Sequence, residues 1–299
     1  MDASIIILTK NAGGSFEPLL ERIFSQQFDG QFEVLVIDSG STDETLTIAS
    51  RFPTKVTQIN AEEFHHGKTR NLGAELSRGK MLVYITQDAL PLNDDWLAKL
   101  TDSFREPEVA MVVGRQIPWQ TTKPPEKFFY AYNFPAFKIR VGPGASDYYH
   151  DNVFISNVNS AIRKDVWQQF RFSESITMVE DKEFAKRILS AGWSIIYEPD
   201  AAVYHGHDFG LRSIFDRYID YGASYTRGVK GLPKSGGSAI GKASKYLAAE
   251  VRYLERNGYL RWLPYSLLYE ASKWLGSCLG QIMGKMYSKS DGDGPHRAH

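Results

Sequence analysis

Short apolar runs alternate with amphipathic stretches over roughly the first 115 residues of the chain. Five runs are rich in Val, Ile and Leu and have the length of strands: SIIIL, FEVLVI, KVTQI, MLVYI and VAMVV. The intervening LLERIFSQQF, DETLTIASRF, TRNLGAELSRG and DDWLAKLTDSF carry apolar residues at three- and four-residue spacing, which is typical of core-covering helices. This alternation predicts an α/β fold: a Rossmann-like, mostly parallel central sheet with helices on both faces.

The pattern changes in the second half of the chain. Residues 116–152 are rich in aromatic side chains and proline, which predicts a long irregular excursion. Regular structure resumes after it, so that residues 1–235 are expected to form the main domain. Residues 236–288 are predicted to be a helical, amphipathic C-terminal extension, and residues 289–299 a disordered tail.

Composition narrows the classes of function. The 299 residues include 35 basic and 35 acidic side chains, so no net charge attracts the chain to nucleic acid. A single cysteine, Cys278, excludes an internal disulfide framework and a zinc ribbon. The start, MDASIIILTKN, carries an acid where a signal peptide needs basic residues, and is predicted to be the first strand.

Two acidic residues stand at the ends of predicted strands, where open α/β sheets bind their ligands. Asp38 closes FEVLVI, and either contacts a nucleobase or ribose or forms an Asx turn that caps a helix. Asp88 closes the strand within VYITQDALP. A carboxylate at the mouth of a buried strand is costly to desolvate, so a cation or a hydrogen-bond network is expected beside it.

Three further clusters are candidates for chemistry, and each has a simpler explanation. Lys68 and Arg70 precede a predicted helix and suit a diphosphate, or form a solvated basic face. Glu180 and Asp181 open another helix, where the helix dipole alone favours acids. The histidines of YHGHDFG could ligate a metal or simply pack or face solvent; they are His205 and His207.

Taken in order, these segments resemble the motifs of one family. TKN, IDSGSTDET, HGKTRNLGA, TQDALP, SNVNSAIRK, VEDKEFAKRI and YHGH are similar to those of the inverting glycosyltransferases of family 2, which have the GT-A fold. The resemblance covers roughly residues 3–225. HGKTRN together with TQDA is most similar to the rhamnosyltransferase branch, which uses dTDP-L-rhamnose to build bacterial surface polysaccharides such as O-antigen.

The resemblance implies a role for each motif in binding the donor. It makes Asp38 the nucleobase contact and puts Asp88 in the family's DxD segment, which holds Mg²⁺ or Mn²⁺ against the diphosphate. Thr86 stands where the first aspartate is usual, so His205 and His207 are expected to help bind the metal. The remaining residues expected at the nucleotide sugar are Thr9, Asn11, Ser39, Lys68, Arg70, Asn71 and Gln87.

The resemblance also implies how the sugar is transferred. Asp181 is expected to be the general base that takes the proton of the acceptor hydroxyl, with Glu180 as its orienting neighbour. The acceptor, a glycan or a polyprenyl-diphosphate-linked glycan, is expected to meet Asn157, Asn159 and Trp119. Two alternatives stay open: a family 2 transferase with a UDP-hexose donor, and a nucleotide-sugar-binding or scaffolding protein with a degenerate site.

The C-terminal extension carries a net positive charge. Residues 242–289 contain eight Lys or Arg and three Glu, a net charge of +5 on a chain with none. An apolar stripe at helical spacing runs through LLYEASKWLGSCLGQIMGKMY. Together these features predict an interfacial helix on an anionic membrane. The family resemblance implies that this peripheral position is at the cytoplasmic face of the membrane. A homodimer interface and a helix packed on the catalytic domain are the alternatives.

Overall fold

A computed structural model of the chain describes residues 1–143, 154–228 and 239–290. The chain folds as two compact units, each assembled from separate stretches of sequence. Unit 1 comprises Met1–Gln120, Tyr130–Glu174 and Asp181–Gly206, and unit 2 comprises Thr121–Phe129, Ser175–Glu180 and His207–His299.

Unit 1 contains a nine-stranded sheet, counted over the described residues. The five strands expected from the apolar runs all form, because their side chains are almost entirely buried on both faces in β1, β2, β4 and β6. The strands are β1 (Ala3–Thr9), β2 (Phe32–Asp38), β3 (Thr54–Gln58), β4 (Met81–Ile85), β5 (Leu90–Pro91), β6 (Val109–Ile117), β7 (Ile139–Val141), β8 (Asn159–Arg163) and β9 (Ser194–Tyr204).

The strand order is β3-β2-β1-β4-β8-β6-β9-β5, with β7 paired to β9. The first four strands in this order run parallel, as the sequence predicts. Beyond β4 the sheet is mixed, because β8 runs antiparallel to both β4 and β6, and β5 and β7 run antiparallel to β9. The chain leaves β1 first towards β2 and later returns to β4 on its other side, which makes the carboxyl ends of β1 and β4 a topological switch point.

The described residues form ten α-helices, and the four predicted in the first half of the chain are among them. Short 3₁₀ turns occur at Gly13–Ser15, Ala61–Glu63, Ser103–Arg105 and Leu260–Trp262. The helices are α1 (Phe16–Phe24), α2 (Thr45–Ala49), α3 (His66–Leu76), α4 (Trp96–Asp102), α5 (Pro124–Asn133), α6 (Lys164–Phe170), α7 (Glu180–Ser190), α8 (Leu211–Gly228), α9 (Ala239–Arg256) and α10 (Leu263–Ser290).

The prediction of an irregular excursion over residues 116–152 is wrong for much of its length. The segment continues β6 to Ile117, forms α5 and then adds β7 to the sheet. Pro124 occupies the first turn of α5, where a missing N–H costs nothing. Phe128 and Phe134 are buried, whereas Tyr132 and Phe137 are exposed, so only some of the aromatic residues of this segment belong to the core. Residues 144–153 lie outside the described part of the chain.

In unit 2, α8 and α10 pack through glycine. Gly276, Gly280 and Gly284 recur every four residues along α10, and a Cβ on any of them would fall against the backbone of α8. Gly222 on α8 makes the reciprocal approach to α10. Only glycine allows two helix backbones to come this close, so the register of the pair is fixed by these positions.

A buried lysine ties the helices of unit 2 together. Lys273 on α10 is only 7% exposed, and its Nζ lies 2.8 Å from Oε1 of Glu270. Four aromatic rings, from α5, α8, α9 and α10, lie 5.4 to 5.8 Å from the ammonium group, a distance suited to cation–π attraction. The rings are those of Phe129, Tyr218, Tyr246 and Tyr269.

The helices expected in the C-terminal extension are present as α9 and α10. None of the helices among the described residues is both long enough and apolar enough to cross a bilayer. The predicted tail, residues 289–299, lies outside the described part of the chain apart from its first two positions, which end α10.

Candidate functional site

The carboxyl ends of β1 and β2 are joined through Asp38. Its carboxylate is 0% exposed and accepts hydrogen bonds from the Thr9 hydroxyl at 3.0 Å and from the N–H groups of Gly40 and Ser41 at 3.1 and 2.9 Å. The Ser41 hydroxyl donates a fourth. A carboxylate has about four lone-pair sites, so these four hydrogen bonds occupy all of the acceptor positions of Asp38. The Asx turn, one of the two alternatives that the sequence left open for Asp38, is therefore present. The carboxylate stabilises the loop that follows β2.

Ser39 and Asn11 complete the same junction. The N–H and the hydroxyl of Ser39 both donate to the Thr9 carbonyl, at 2.9 and 3.0 Å. Asn11 has a left-handed backbone, with φ of 49°, and its side-chain oxygen accepts the N–H of Thr42 at 2.8 Å. Left-handed φ is tolerated by Asn better than by most residues. The predicted nucleotide-binding residues of β1 and β2 therefore converge, and their side chains bond to one another and to residues 40–42.

Gln87 bridges the switch point between β1 and β4. Its Oε1 accepts the N–H of Lys10 at 2.8 Å and its Nε2 donates to the Lys10 carbonyl at 3.1 Å, so the side chain extends the sheet like a short strand. A pocket opens here, and Lys10, which the sequence did not single out, lies in its wall. The lining residues are Leu8, Thr9, Lys10, Ser39, Ala61, Phe64 and Gln87.

The motif HGKTRN forms the first turns of α3. Gly67 lets the helix approach residue 173, because a Cβ at this position would clash with the Ser173 carbonyl. Lys68 is exposed, and its N–H is capped by Nδ1 of His65 at 3.4 Å. Arg70 is 8% exposed. Of the two predicted cations, Lys68 is thus open to solvent, and Arg70 is mostly covered.

Asn71, in the same motif, does not have a free amide for a ligand. Its Nδ2 donates to the Phe172 carbonyl at 3.0 Å and to Glu174 at 2.9 Å. Its Oδ1 accepts the N–H of Phe172 and Nε1 of Trp167, both at 3.0 Å. All four hydrogen-bonding positions are used. The expectation that Asn71 contacts the nucleotide is therefore corrected: the side chain braces α3 against residues 167–174.

Asp88 has the basic partner that its position demands. Oδ2 of Asp88 lies 3.7 Å from Nε2 of His205, which follows the end of β9. Nδ1 of His205 lies 3.2 Å from the hydroxyl of Tyr130, so the ring is oriented with Nε2 towards Asp88. A hydrogen bond on one imidazole nitrogen that frees the other is the usual setting of a metal-binding histidine. The carboxylate oxygen and imidazole nitrogen therefore fit a divalent metal such as Mn²⁺.

His207 stands two residues further along the chain from His205, at the start of unit 2. Its part in metal binding remains a prediction. Tyr130 was missed by the sequence reasoning, since it lies in the aromatic segment interpreted as irregular, and only the fold brings it to a histidine 75 positions away.

Asp181 is held at the amino end of α7. Its Oδ2 accepts the N–H of Asn157 at 3.2 Å, and its Oδ1 accepts the N–H of Lys182 at 2.7 Å. The carboxylate is partly exposed, whereas its neighbour Glu180 is only 4% exposed. Adjacent helix residues point about 100° apart, so the two acids cannot serve the same position. Of the two, Asp181 has the accessible carboxylate.

Asn157 and Asn159 differ sharply although they belong to one motif. Asn157 is buried and its Oδ1 accepts the Ser160 hydroxyl at 2.8 Å, but its Nδ2 has no partner among the described residues. Asn159 is 0% exposed and bonds to Trp96, Arg115 and Ala201. The expectation that Asn159 lines an acceptor pocket is therefore corrected, because it braces the core. Asn157 keeps a buried donor that a substrate could satisfy.

Two other residues expected near the substrates have distinct surroundings. Trp119 stacks on Tyr204, with the ring centroids 5.1 Å apart and the planes inclined by 20°. Thr86, which replaces the first acid of the DxD segment, keeps a buried hydroxyl oxygen with no partner within the described parts of the chain. Trp119 is thus a packed aromatic residue at the end of β6, and Thr86 offers a polar atom beside Gln87 and Asp88.

The fold and this strand-edge site define a class of protein. Residues 4–169 match the model of glycosyl transferase family 2, and the chain belongs to that family. It is a glycosyltransferase with the GT-A fold, as the sequence motifs predicted.

Two similar proteins match the chain over nearly its whole length. The chain is 31% identical to the O-antigen chain rhamnosyltransferase RfbN of Salmonella typhimurium, over 94% of this chain and 90% of the relative. It is also 31% identical to the O-antigen chain rhamnosyltransferase WbaN of Salmonella anatum, over 93% and 89% of the two chains.

Solved structures support the fold. The mannosyltransferase PcManGT from Pyrobaculum calidifontis, in complex with GDP-Man and Mn²⁺, superposes with a TM-score of 0.61 at 17% identity, covering 96% of this chain and 87% of that one. TarS 1–349 of Staphylococcus aureus in complex with UDP gives a TM-score of 0.56 at 18% identity, covering 97% and 92%.

Proposed function

We propose that this glycosyltransferase moves L-rhamnose from dTDP-L-rhamnose to a glycan, with inversion at the anomeric carbon, in the synthesis of a bacterial surface polysaccharide such as O-antigen. The observation that carries the proposal is the likeness, over more than nine-tenths of this chain, to two proteins named as O-antigen chain rhamnosyltransferases. The site at the ends of β1, β2 and β4 is compatible with it.

The donor diphosphate is proposed to bind between the switch point and the amino end of α3. Lys68 is exposed there, and the first N–H groups of a helix favour phosphate. Asp88 and His205 would hold a divalent metal, and the mixture of oxygen and nitrogen donors favours Mn²⁺ over Mg²⁺. A metal bound there would stabilise the negative charge on the departing nucleoside diphosphate.

Asp181 is proposed to act as the general base. It takes the proton of the acceptor hydroxyl while that oxygen forms a bond to the anomeric carbon, and the bond from this carbon to the diphosphate oxygen breaks. One displacement of this kind inverts the anomeric centre. The backbone N–H of Asn157 orients the base. The Nδ2 of Asn157, which has no partner among the residues that the structure describes, is suited to a hydroxyl of the sugar or of the acceptor.

The acceptor is proposed to be a glycan carried on polyprenyl diphosphate, reached at the cytoplasmic face of the membrane. An apolar stripe along α10 supports this, since its side chains are exposed and follow helical spacing. Glu270 on α10 is paired with the buried Lys273, and the exposed Lys285 lies near the carboxyl end of the stripe. The exposed stripe consists of Leu267, Leu268, Ala271, Trp274, Leu275, Leu279, Ile282 and Met286.

The donor and the metal can be tested by calorimetric titration. The purified protein is titrated with dTDP-rhamnose, UDP-glucose and UDP-galactose, each with and without Mn²⁺. We expect dTDP-rhamnose to bind most tightly and its affinity to depend on Mn²⁺. Asp88→Asn should abolish the effect of Mn²⁺, whereas Asp102→Asn, which changes an exposed carboxylate on α4, should not.

Other results of the titration point to the alternatives. Tighter binding of a UDP-hexose would retain the fold and the base but replace the donor. If no nucleotide sugar binds, the chain is a scaffolding protein with a degenerate site. An affinity for dTDP-rhamnose that is the same with and without Mn²⁺ would remove the metal from the proposal.

A further inference from the structure

The pocket beside the switch point contains an exposed aromatic ring that none of the polar motifs explains. Phe64 is 37% exposed and lies in the wall of this pocket, together with Leu8 and Ala61. The other wall residues are Thr9, Lys10, Ser39 and Gln87, which belong to the ends of β1, β2 and β4. An apolar surface thus borders the polar strand ends directly.

The position of Phe64 is fixed by its neighbours on both sides. Before it, Asn60 and Glu63 form a capping box around the 3₁₀ turn Ala61–Glu63. After it, His65 caps the amino end of α3. The ring of His66 meets that of Phe64 edge to face, with centroids 5.0 Å apart and an interplanar angle of 76°. The phenyl ring is therefore a preorganised surface and needs little further ordering when a ligand binds.

The size of the pocket restricts what can enter. Its volume is about 200 Å³. Pockets that enclose a whole small-molecule ligand are generally larger, roughly 300 to 1,000 Å³. The pocket thus has room for one ring system of a larger ligand, with the rest of that ligand lying along the strand ends.

The polar groups near the pocket are mostly committed to the protein. Asp38 spends its carboxylate on Thr9, Gly40 and Ser41, and the backbone N–H and carbonyl of Lys10 are taken by Gln87. The exposed ring of Phe64 offers a flat heterocycle at this place an apolar surface for one of its faces. Stacking on an aromatic side chain supplies affinity and tolerates different bases, because every base has a π-face.

We propose that Phe64 is the stacking platform for the nucleobase of the donor. The inference rests on the proposed function, since it assumes that a nucleoside diphosphate occupies the strand ends. It also makes a statement about selectivity: Phe64 contributes affinity for thymine and for uracil alike, so the choice between dTDP and UDP donors comes from other groups.

Calorimetric titration with dTDP and with UDP tests the proposal, both in the presence of Mn²⁺. Phe64→Leu keeps an apolar side chain but removes the ring, and should weaken both nucleotides by roughly 10-fold to 100-fold. Phe64→Tyr retains the ring and should bind both nearly as well as the unaltered protein. Phe137→Ala removes another exposed phenyl ring, one that does not line the pocket, and should leave both affinities unchanged.

The outcomes separate this inference from the function on which it rests. If Phe64→Leu binds dTDP and UDP as tightly as the unaltered protein, Phe64 is not the platform. Equal losses in Phe64→Leu and Phe64→Tyr would also overturn the proposal, since they would indicate a packing defect and not stacking. A further outcome is that Phe64→Leu binds both nucleotides less tightly while Phe64→Tyr binds them normally, but the unaltered protein transfers no rhamnose. In that case the stacking role is supported and the rhamnosyltransferase proposal fails. Binding of neither nucleotide to the unaltered protein would overturn both.

Discussion

Two backbone N–H groups help to position the carboxylate of Asp181. The N–H groups of Asn157 and Lys182 hold its two oxygens. Two residues earlier, Val179 has φ of 66°, a conformation that costs a β-branched residue of order 1–3 kcal/mol. Val179 packs in a small apolar cluster with Ile176, which maintains that backbone. Strain of this kind, immediately before α7, is consistent with a carboxylate whose position matters for function.

Replacing Asp181 by Asn should separate chemistry from binding. The amide keeps the shape of the side chain but cannot take a proton, so we expect kcat for sugar transfer to fall roughly 100- to 10,000-fold. Affinity for the donor, measured by calorimetry, should remain within a few-fold of the original. Asp102→Asn on α4 is the matched control and should retain full turnover. If Asp181→Asn transfers sugar at the normal rate, Asp181 has no role as a base.

The sequence identified some of these residues and misjudged others for a physical reason. Asp88 and His205 were expected to cooperate, and the fold brings them together across 117 positions. Asn71 and Asn159 were assigned to ligands, but each amide is consumed by hydrogen bonds to distant segments. A motif shows which residue types are present. It does not show whether their polar groups face a ligand or the protein, because that depends on tertiary packing.

The secondary structure elements follow the same logic. Runs of apolar residues buried on both faces were sufficient to predict β1, β2, β4 and β6, because burial on both faces gives an unbroken apolar pattern. Strand β3 is largely exposed, and its prediction depended on the β-branched residues of KVTQI. The antiparallel course of β8 between β4 and β6 was not predictable, since strand direction depends on chain connections and leaves no mark on composition. Helix α5 was not predicted, because its many aromatic residues and the two prolines at its start were interpreted as irregular structure.

Helices α9 and α10 share a buried carboxyl group whose titration should be visible in stability. Glu250 on α9 is 2% exposed and accepts a hydrogen bond from Ser266 on α10. Burial, reinforced by the nearby charge of Glu270, raises the pKa of Glu250 from 4.5 to about 7. Between these two values the folded protein holds a proton that the unfolded chain has released. The contribution of Glu250 to the free energy of unfolding therefore falls as pH rises from about 4.5 to 7, and it stays constant at higher pH.

Substituting Gln for Glu250 should remove this dependence. The side chain stays neutral and can still accept from Ser266, so the variant should gain thermal stability relative to the unaltered protein as pH rises from 5 to 8. Melting temperatures at four pH values would measure the gain. Glu255→Gln, at an exposed position of the same helix, should give a constant difference. A constant difference for Glu250→Gln as well would mean that Glu250 titrates normally.

At the scale of the whole molecule, α10 has an exposed apolar face. One side of the helix packs against α8 through its glycines. On the opposite side, the side chains of Trp274 and Ile282 are 65% and 56% exposed. Exposed apolar side chains in a continuous row indicate an interaction surface. The positive charge available to a membrane on this helix is smaller than the sequence suggests, because Lys273 is buried among aromatic rings and does not face solvent. Insertion of apolar side chains, more than charge, should therefore bind this face to lipid.

Vesicle flotation would test this expectation directly. The protein should float with vesicles that contain anionic phospholipid, and the double variant Trp274→Ala, Ile282→Ser should remain at the bottom of the gradient. Phe137→Ala, which removes a similarly exposed aromatic residue from unit 1, should float normally. High salt should reduce binding only partly, since the apolar contribution is not screened. If the unaltered protein does not bind vesicles and instead sediments as a dimer, while the double variant sediments as a monomer, the stripe is a homodimer interface.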